Sequence, residues 1–236
     1  MADDGQNRRE LKRSDPRQVE EECLEQPGVL ATRRTGDDID ADAVRGGAAA
    51  RRNNLRYEYL DRAVDPDLVR KLLGGLAGPP ERAIVYVEDE KMGGRLAAEL
   101  GLDLYGVGGA NADNAAMVTR WKTAGGAILA TAAMGAGVGL EDVVLVVCAG
   151  PPDSGDQMLE IMGCAGRNGD PATAVLAAPF WTIRSGGDGL LARFATAECR
   201  LAVVIQHWGG AARRCGYGDN RCDRCAAAAV ASTNSS

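Results

Sequence analysis

Between Leu55 and Ala178 the chain alternates short, wholly apolar runs with stretches of helical period. The runs AIVYV (83–87), GAILATAA (126–133), VVLVVCA (143–149) and TAVLAA (173–178) show no polar alternation. Strands of that kind belong in a parallel sheet covered on both faces. LRYEYL (55–60) alternates as a strand does, and DLYGV (103–107) predicts a shorter one. Pro66 opens a helix that Gly74 and Gly75 close, and Met92, Leu96 and Leu100 recur at four-residue spacing. Residues 111–124 pair Met117 with Trp121 on one helical face, and a further helix is expected over 156–165. Strands separated by helices in this order predict a doubly wound α/β layer.

The flanks read differently. Residues 1–26 hold thirteen charged side chains and almost no apolar face, and 28–54 keep no period. A helix-rich segment over Gly187–Trp208 follows the last strand and precedes a cysteine cluster. The final eleven residues, AAAAVASTNSS, are expected to be flexible. The expected division is a charged tail and linker over 1–54, an α/β lobe over 55–185, a cysteine module over 186–225 and a flexible end over 226–236.

Composition narrows the function classes. Of 236 residues 45% are apolar but only two are Phe, so the core must rest on Ala, Val, Leu and Ile. A net charge of −6 argues against a nucleic-acid coat and leaves any such contact to local basic clusters. No run of about 18 apolar residues suggests a membrane span, and the first residues lack the apolar stretch of a secretory signal. Seven cysteines at irregular spacing then favour metal or free thiols in a reducing compartment, cytosol or nucleus.

Three segments carry candidate chemistry. ATAAMGAGV (130–138) ends a strand in small residues, which lets a ligand approach backbone or simply makes a turn. MGCAGRNG (162–169) sets Arg167 among glycines, as a phosphate-reaching finger or an ordinary surface arginine. Cys199, Cys215, Cys222 and Cys225 are spaced C-x15-C-x6-C-x2-C. Four thiolates closing on a C-x2-C knuckle suit tetrahedral Zn2+ in a structural site. Reduced thiols or two disulfides are the alternatives. His207, the single histidine, reads as a helix-face residue and not a fifth ligand.

Taken in order, ATAAMGAGVGLEDVVLVVCAGPPDSGDQMLEIMGCAGRNGDPATAVL resembles helicase motifs V and VI of the RecQ family, most closely its fungal RecQ-like group. NNLRYEYLD resembles the family's first strand of the second motor lobe, and AIVYV with LYGVGGANADNAAMVTRWKTAGGAILAT resembles motif IV and the segment after it. Cys199-Arg200-Leu201 and Cys222-Asp223-Arg224-Cys225 resemble the start and end of the family's zinc module. The resemblance implies a RecA-like second lobe followed by a small helical four-cysteine zinc module. It implies ATP-driven 3′-to-5′ unwinding of DNA in repair and recombination, in the nucleus. Arg167 would be the finger; Gly135, Gly137, Gly163 and Gly166 would line the nucleotide cleft; Thr131 would meet nucleic acid. Arg213 and Arg214, beside the cysteines, suit phosphate contacts to single-stranded or forked DNA, weak in this chain alone.

The departures are substantial. Where the family has its first motif VI arginine the chain has Cys164, the leading glutamine is Glu160, and motif V's aspartate is Gly139. No G-x-x-x-x-G-K-[ST] loop occurs, so ATP and Mg2+ are expected to bind only if a partner polypeptide supplies a first motor lobe. The chain then reads as a truncated or decayed helicase copy, inactive alone. The alternative is a non-enzymatic, zinc-stabilised module that binds DNA or a partner.

Overall fold

A computed structural model describes residues 52–106, 111–131, 134, 140–216 and 221–233. Six parallel strands form one sheet in the order β1 (Leu55–Leu60), β6 (Ala172–Ala177), β5 (Val143–Ala149), β2 (Arg82–Val87), β4 (Gly126–Ala130) and β3 (Leu104–Tyr105). In the middle, Val85 pairs with Leu129 on one side and Val147 on the other. The expected α/β layer is therefore present, with its strand order reversing about β2.

The apolar runs are explained by burial on both faces. In β2, Ala83, Val85 and Val87 point to one face, where α1 (Pro66–Leu73) and α2 (Glu90–Leu100) cover them with Leu68, Val69 and Leu96. Ile84 and Tyr86 point to the other, covered by α3 (Asn111–Ala124), α4 (Gly155–Met162), α6 (Gly189–Thr196) and α7 (Arg200–His207). Trp121, Met158, Met162 and Phe194 fill that layer, each stabilising by roughly 2–3 kcal/mol on burial. With so few aromatic residues, these large side chains set the spacing between helices and sheet.

Helices following strands start at the carboxy edge of the sheet, and α1, α2 and α4 each start on a side-chain cap. Asp65 accepts from the Leu68 N–H at 2.7 Å, Asp89 from Met92 at 2.6 Å and Ser154 from Gln157 at 3.1 Å. Asp188 caps α6 through the Leu190 and Leu191 amides at 2.8 and 2.9 Å. Its other oxygen takes the Gly155 N–H at 3.0 Å, so one carboxylate anchors α6 and the first residue of α4. Those amides, Gly155 first, hold its pKa below the usual carboxylate value. A Cβ on Gly155 would lie 2.5 Å from Leu190, which fixes how closely the two helices pack.

Two expectations change. The alanine-rich end is not without structure: α8 runs Asp223–Thr233, with Asp223 in its first turn. Consecutive alanines have the highest helix propensity, and the acid faces the positive end of the helix dipole. Order also begins before Leu55, because Arg52 and Asn54 are tied to residues more than 110 positions away. The short helix α5 (Phe180–Gly186) joins β6 to α6 and buries Ile183. The cysteine segment shares the sheet's core: Cys199 and Cys222 belong to the same buried cluster as Tyr57, Ile84 and Met158.

Candidate functional site

Arg167 sits on the turn that leads from α4 to β6. That turn lies at the amino edge of the sheet, since the Gly166 N–H donates to the carbonyl of Val143, the first residue of β5. Gly166 has φ +63°, and a Cβ there would meet the Asn54 amide nitrogen at 2.5 Å. Only glycine fits both demands without strain. Gly163 caps α4 with an ordinary right-handed conformation.

Two side chains from the segment before β1 hold this turn by its carbonyls. Arg52 donates to Gly163 O at 2.9 Å and Ala165 O at 2.6 Å. Asn54 donates to Gly166 O at 2.8 Å and Asp170 O at 2.7 Å. Arg167 folds back over the same place, with Nε 3.3 Å from Gly163 O and a terminal nitrogen 3.6 Å from the Cys164 sulfur. Burial, then the charge of Arg167, lowers the Arg52 pKa.

Tyr86 connects this turn to the strand-end segment. Its hydroxyl donates to Met134 O at 2.6 Å and lies 3.7 Å from the Cys164 sulfur. Burial first, then neighbouring Cys164, drives the phenol pKa far up, so it stays a neutral donor. Sequence reading passed over Tyr86. The available signal was a hydroxyl in an otherwise apolar strand, where burial demands a hydrogen-bond partner.

Thr131 follows β4 at the carboxy edge, so the sheet separates it from the Arg167 turn. Its N–H donates to Tyr105 O at 3.1 Å, and its buried hydroxyl has no hydrogen-bond partner among the described residues. Gly135 and Gly137 lie outside the described residues. Near β2 and β5, where the strand order reverses, Glu88, Asp153 and Gln157 line a cleft of about 50 Å³.

The four cysteines converge. Their sulfurs all lie within 4.8 Å of one another, and those of Cys199 and Cys215 are 3.7 Å apart. Sulfurs about 2.3 Å from a tetrahedral Zn2+ would stand roughly 3.8 Å apart, so the cluster has the size of that shell. No described cysteine is in a disulfide. The Cys215 N–H points to the Cys199 sulfur and the Cys222 N–H to the Cys215 sulfur, each at 3.4 Å. Burial pushes the Cys215 and Cys225 thiols up. At Cys222 burial, the largest single effect, pushes the same way, but the amides of Cys225 and Arg200 together with the Cys225 and Cys215 side chains outweigh it and the pKa falls. A divalent cation would supply the charge that lets four thiolates share this volume. His207 stays out of the cluster, its Nε2 lying 2.6 Å from Asp156.

Arg200, one residue past Cys199, is 2% exposed. It forks onto Asp223, one residue past Cys222, and donates to the carbonyls of Phe194 and Ala195. Tyr59 and Phe194 rings flank its guanidinium at 5.4 and 5.5 Å. Arg213 and Arg214 are exposed; Arg213 reaches Asn53 at 3.2 Å, and Arg214 pairs with Glu198 at 3.1 Å.

No family model and no curated protein matches the chain. Solved structures of helicases do. S. cerevisiae Dbp5 bound to RNA and ADP BeF3 is similar with a TM-score of 0.50 and 14% identity, over 57% of this chain and 39% of that one. Mss116p DEAD-box helicase domain 2 bound to an RNA duplex has a TM-score of 0.45 and 16% identity, over 52% and 54%. A DEAD box protein from Methanococcus jannaschii has 0.46 and 15%, over 56% and 39%. This chain thus spans about two fifths of the Dbp5 chain, and its sheet and helices have the fold of a RecA-like helicase lobe.

Proposed function

We propose that this chain serves as the second motor lobe, with an attached structural zinc centre, of an ATP-driven DNA helicase of RecQ type. The observation that carries the reading is a four-sulfur cluster packed on the α4 face of a helicase-lobe sheet. The motif resemblance around Thr131 and Arg167 supports DNA over RNA, although the similar Dbp5 structure is an RNA complex. Such a motor would act in the nucleus.

ATP with Mg2+ supplies the phosphoryl-transfer energy and requires a phosphate-cradling loop that these 236 residues do not contain. The chain's own part is positional and electrostatic. The turn held by Arg52 and Asn54 presents Arg167, whose permanent cation can offset charge on a phosphate. Thr131 follows β4 at the carboxy edge of the sheet, where the motif resemblance would set that edge against nucleic acid. Zn2+ would be held by Cys199, Cys215, Cys222 and Cys225, drawing the ends of the segment together.

Mixing the chain with a separate polypeptide carrying a RecQ first lobe tests the proposal. ATP hydrolysis stimulated by single-stranded DNA, and unwinding of a forked duplex, should arise only in the mixture and vanish with Arg167→Ala. Stimulation by RNA alone would remove the DNA assignment. An inert mixture that still binds DNA would favour the non-enzymatic module. That second reading draws on Cys164, which stands where the family has an arginine and instead contacts Arg167 and Tyr86.

A further inference from the structure

Two of the chain's three tryptophans are on the surface: Trp181 is 70% exposed and Trp208 40%, while Trp121 is buried. A chain with two Phe has few such rings to spare from its core. Both exposed rings lie at the carboxy edge of the sheet. Trp181 stands in the first turn of α5, after β6, and the Phe180 N–H fixes that turn by donating to Asp61 at 2.7 Å. Trp208 caps the end of α7, its ring edge-on to His207 at 5.2 Å. His207 in turn holds Asp156 in the first turn of α4, which follows β5. Strands β5 and β6 are neighbours, so both rings belong to one stretch of rim. The charge beside them is negative. Glu88 and Asp153, on the small cleft at the ends of β2 and β5, are exposed, and neither is ion-paired with a described residue. Of the bases at this edge, Arg62 is already paired with Asp65, which leaves Lys91 and Arg184. A phosphate is repelled from such a rim, whereas a flat cation is drawn to it.

We propose that this rim docks an arginine-rich segment of another protein. Guanidinium groups stack on the exposed faces of Trp181 and Trp208. One more enters the cleft, its stem on Pro151 and Pro152 and its fork between Glu88 and Asp153. Arginine both lies flat on a ring and forks onto a carboxylate, where lysine offers only a point charge. Thr131 stands apart from this surface, two strands away after β4. The rim is independent of the second-lobe reading, since docking there needs neither ATP nor a first lobe.

The test is titration of the full chain with fluorescein-labelled octa-arginine at low salt, read by anisotropy. Saturable binding is expected, about fivefold or more tighter than for octa-lysine. Trp208→Ala and Trp181→Ala alter no charge, and each should weaken binding about threefold or more. Glu88→Gln should do the same, while Glu99→Gln, at the far end of α2, should leave it unchanged. Should Trp208→Ala fail to fold, the more exposed Trp181→Ala gives the same reading. Equal binding of the two peptides, or binding unmoved in a folded Trp181 variant, would mean attraction to net charge alone and overturns the surface. Displacement of octa-arginine by oligothymidylate, lost in the same tryptophan variants, assigns the rim to nucleic acid and overturns the protein partner.

Discussion

Arg200 and Asp223 meet in a two-pronged ion pair, Nε to Oδ1 and the terminal nitrogen to Oδ2, both at 2.9 Å. Each residue directly follows a cysteine of the cluster, so the pair joins the segment's two ends from within the fold. Asp223 also accepts the Tyr59 N–H at 3.3 Å, which ties the same carboxylate to β1.

Removing the acid should cost more than removing both partners. Asp223→Ala leaves the buried Arg200 charge without its counter-ion, and about 3–5 kcal/mol of stability should be lost. Arg200→Met with Asp223→Ala should recover part of it. Denaturant unfolding of the four members of the cycle measures the coupling; an Asp223→Ala loss below the double variant's would refute this account.

One equivalent of zinc should copurify with the chain under reducing conditions. X-ray absorption should give four sulfurs at about 2.3 Å with no nitrogen ligand. Because Cys222 is buried in the common core, Cys222→Ala should release the metal and also lower the melting temperature of the lobe. Less than half an equivalent of metal, with chelation leaving melting unchanged, would exclude the site.

Alkaline pH should destabilise the fold through Tyr57. Burial raises its pKa from 10.0 to about 12, against a smaller opposing effect of Arg52. Its contribution is therefore complete below the unfolded value and lost as pH rises through the folded one. Between pH about 10 and 12, roughly 2–3 kcal/mol should disappear, and Tyr57→Phe should flatten that limb. Unfolding free energies at stepped pH decide the matter.

Tyr86→Phe keeps the ring but leaves Met134 O without this donor. A loss of about 1–3 kcal/mol is expected, measured by thermal or denaturant unfolding. An unchanged stability would mean another group reaches that carbonyl.

Much of the fold could be read from local pattern. AIVYV and VVLVVCA are apolar at every position because β2 and β5 are buried on both faces. The start of α1 was legible at Pro66, which stands at its first position. The C-x2-C knuckle led to four sulfurs that do converge. What stayed hidden was whatever depends on partners distant in sequence. Arg52 stands in a stretch without period, yet its acceptors lie 111 and 113 residues on. Arg200 gave no sign of burial, since an arginine is ordinarily exposed unless an acid such as Asp223 is brought to it. The helix over Asp223–Thr233 was missed because the end's small side chains suggested a floppy tail, while the propensity of consecutive alanines favoured a helix.

The shared core around Phe194, Val204 and Cys222 bears on how such a protein could have arisen. A segment that merely trailed the lobe could be gained or shed by a single join. This one roofs Tyr57 on β1, whose ring meets Phe194 edge-on at 6.1 Å. Descent with the lobe but without the cysteine segment would have required a new cover for that strand in the same step. The two are therefore expected to be inherited as a unit.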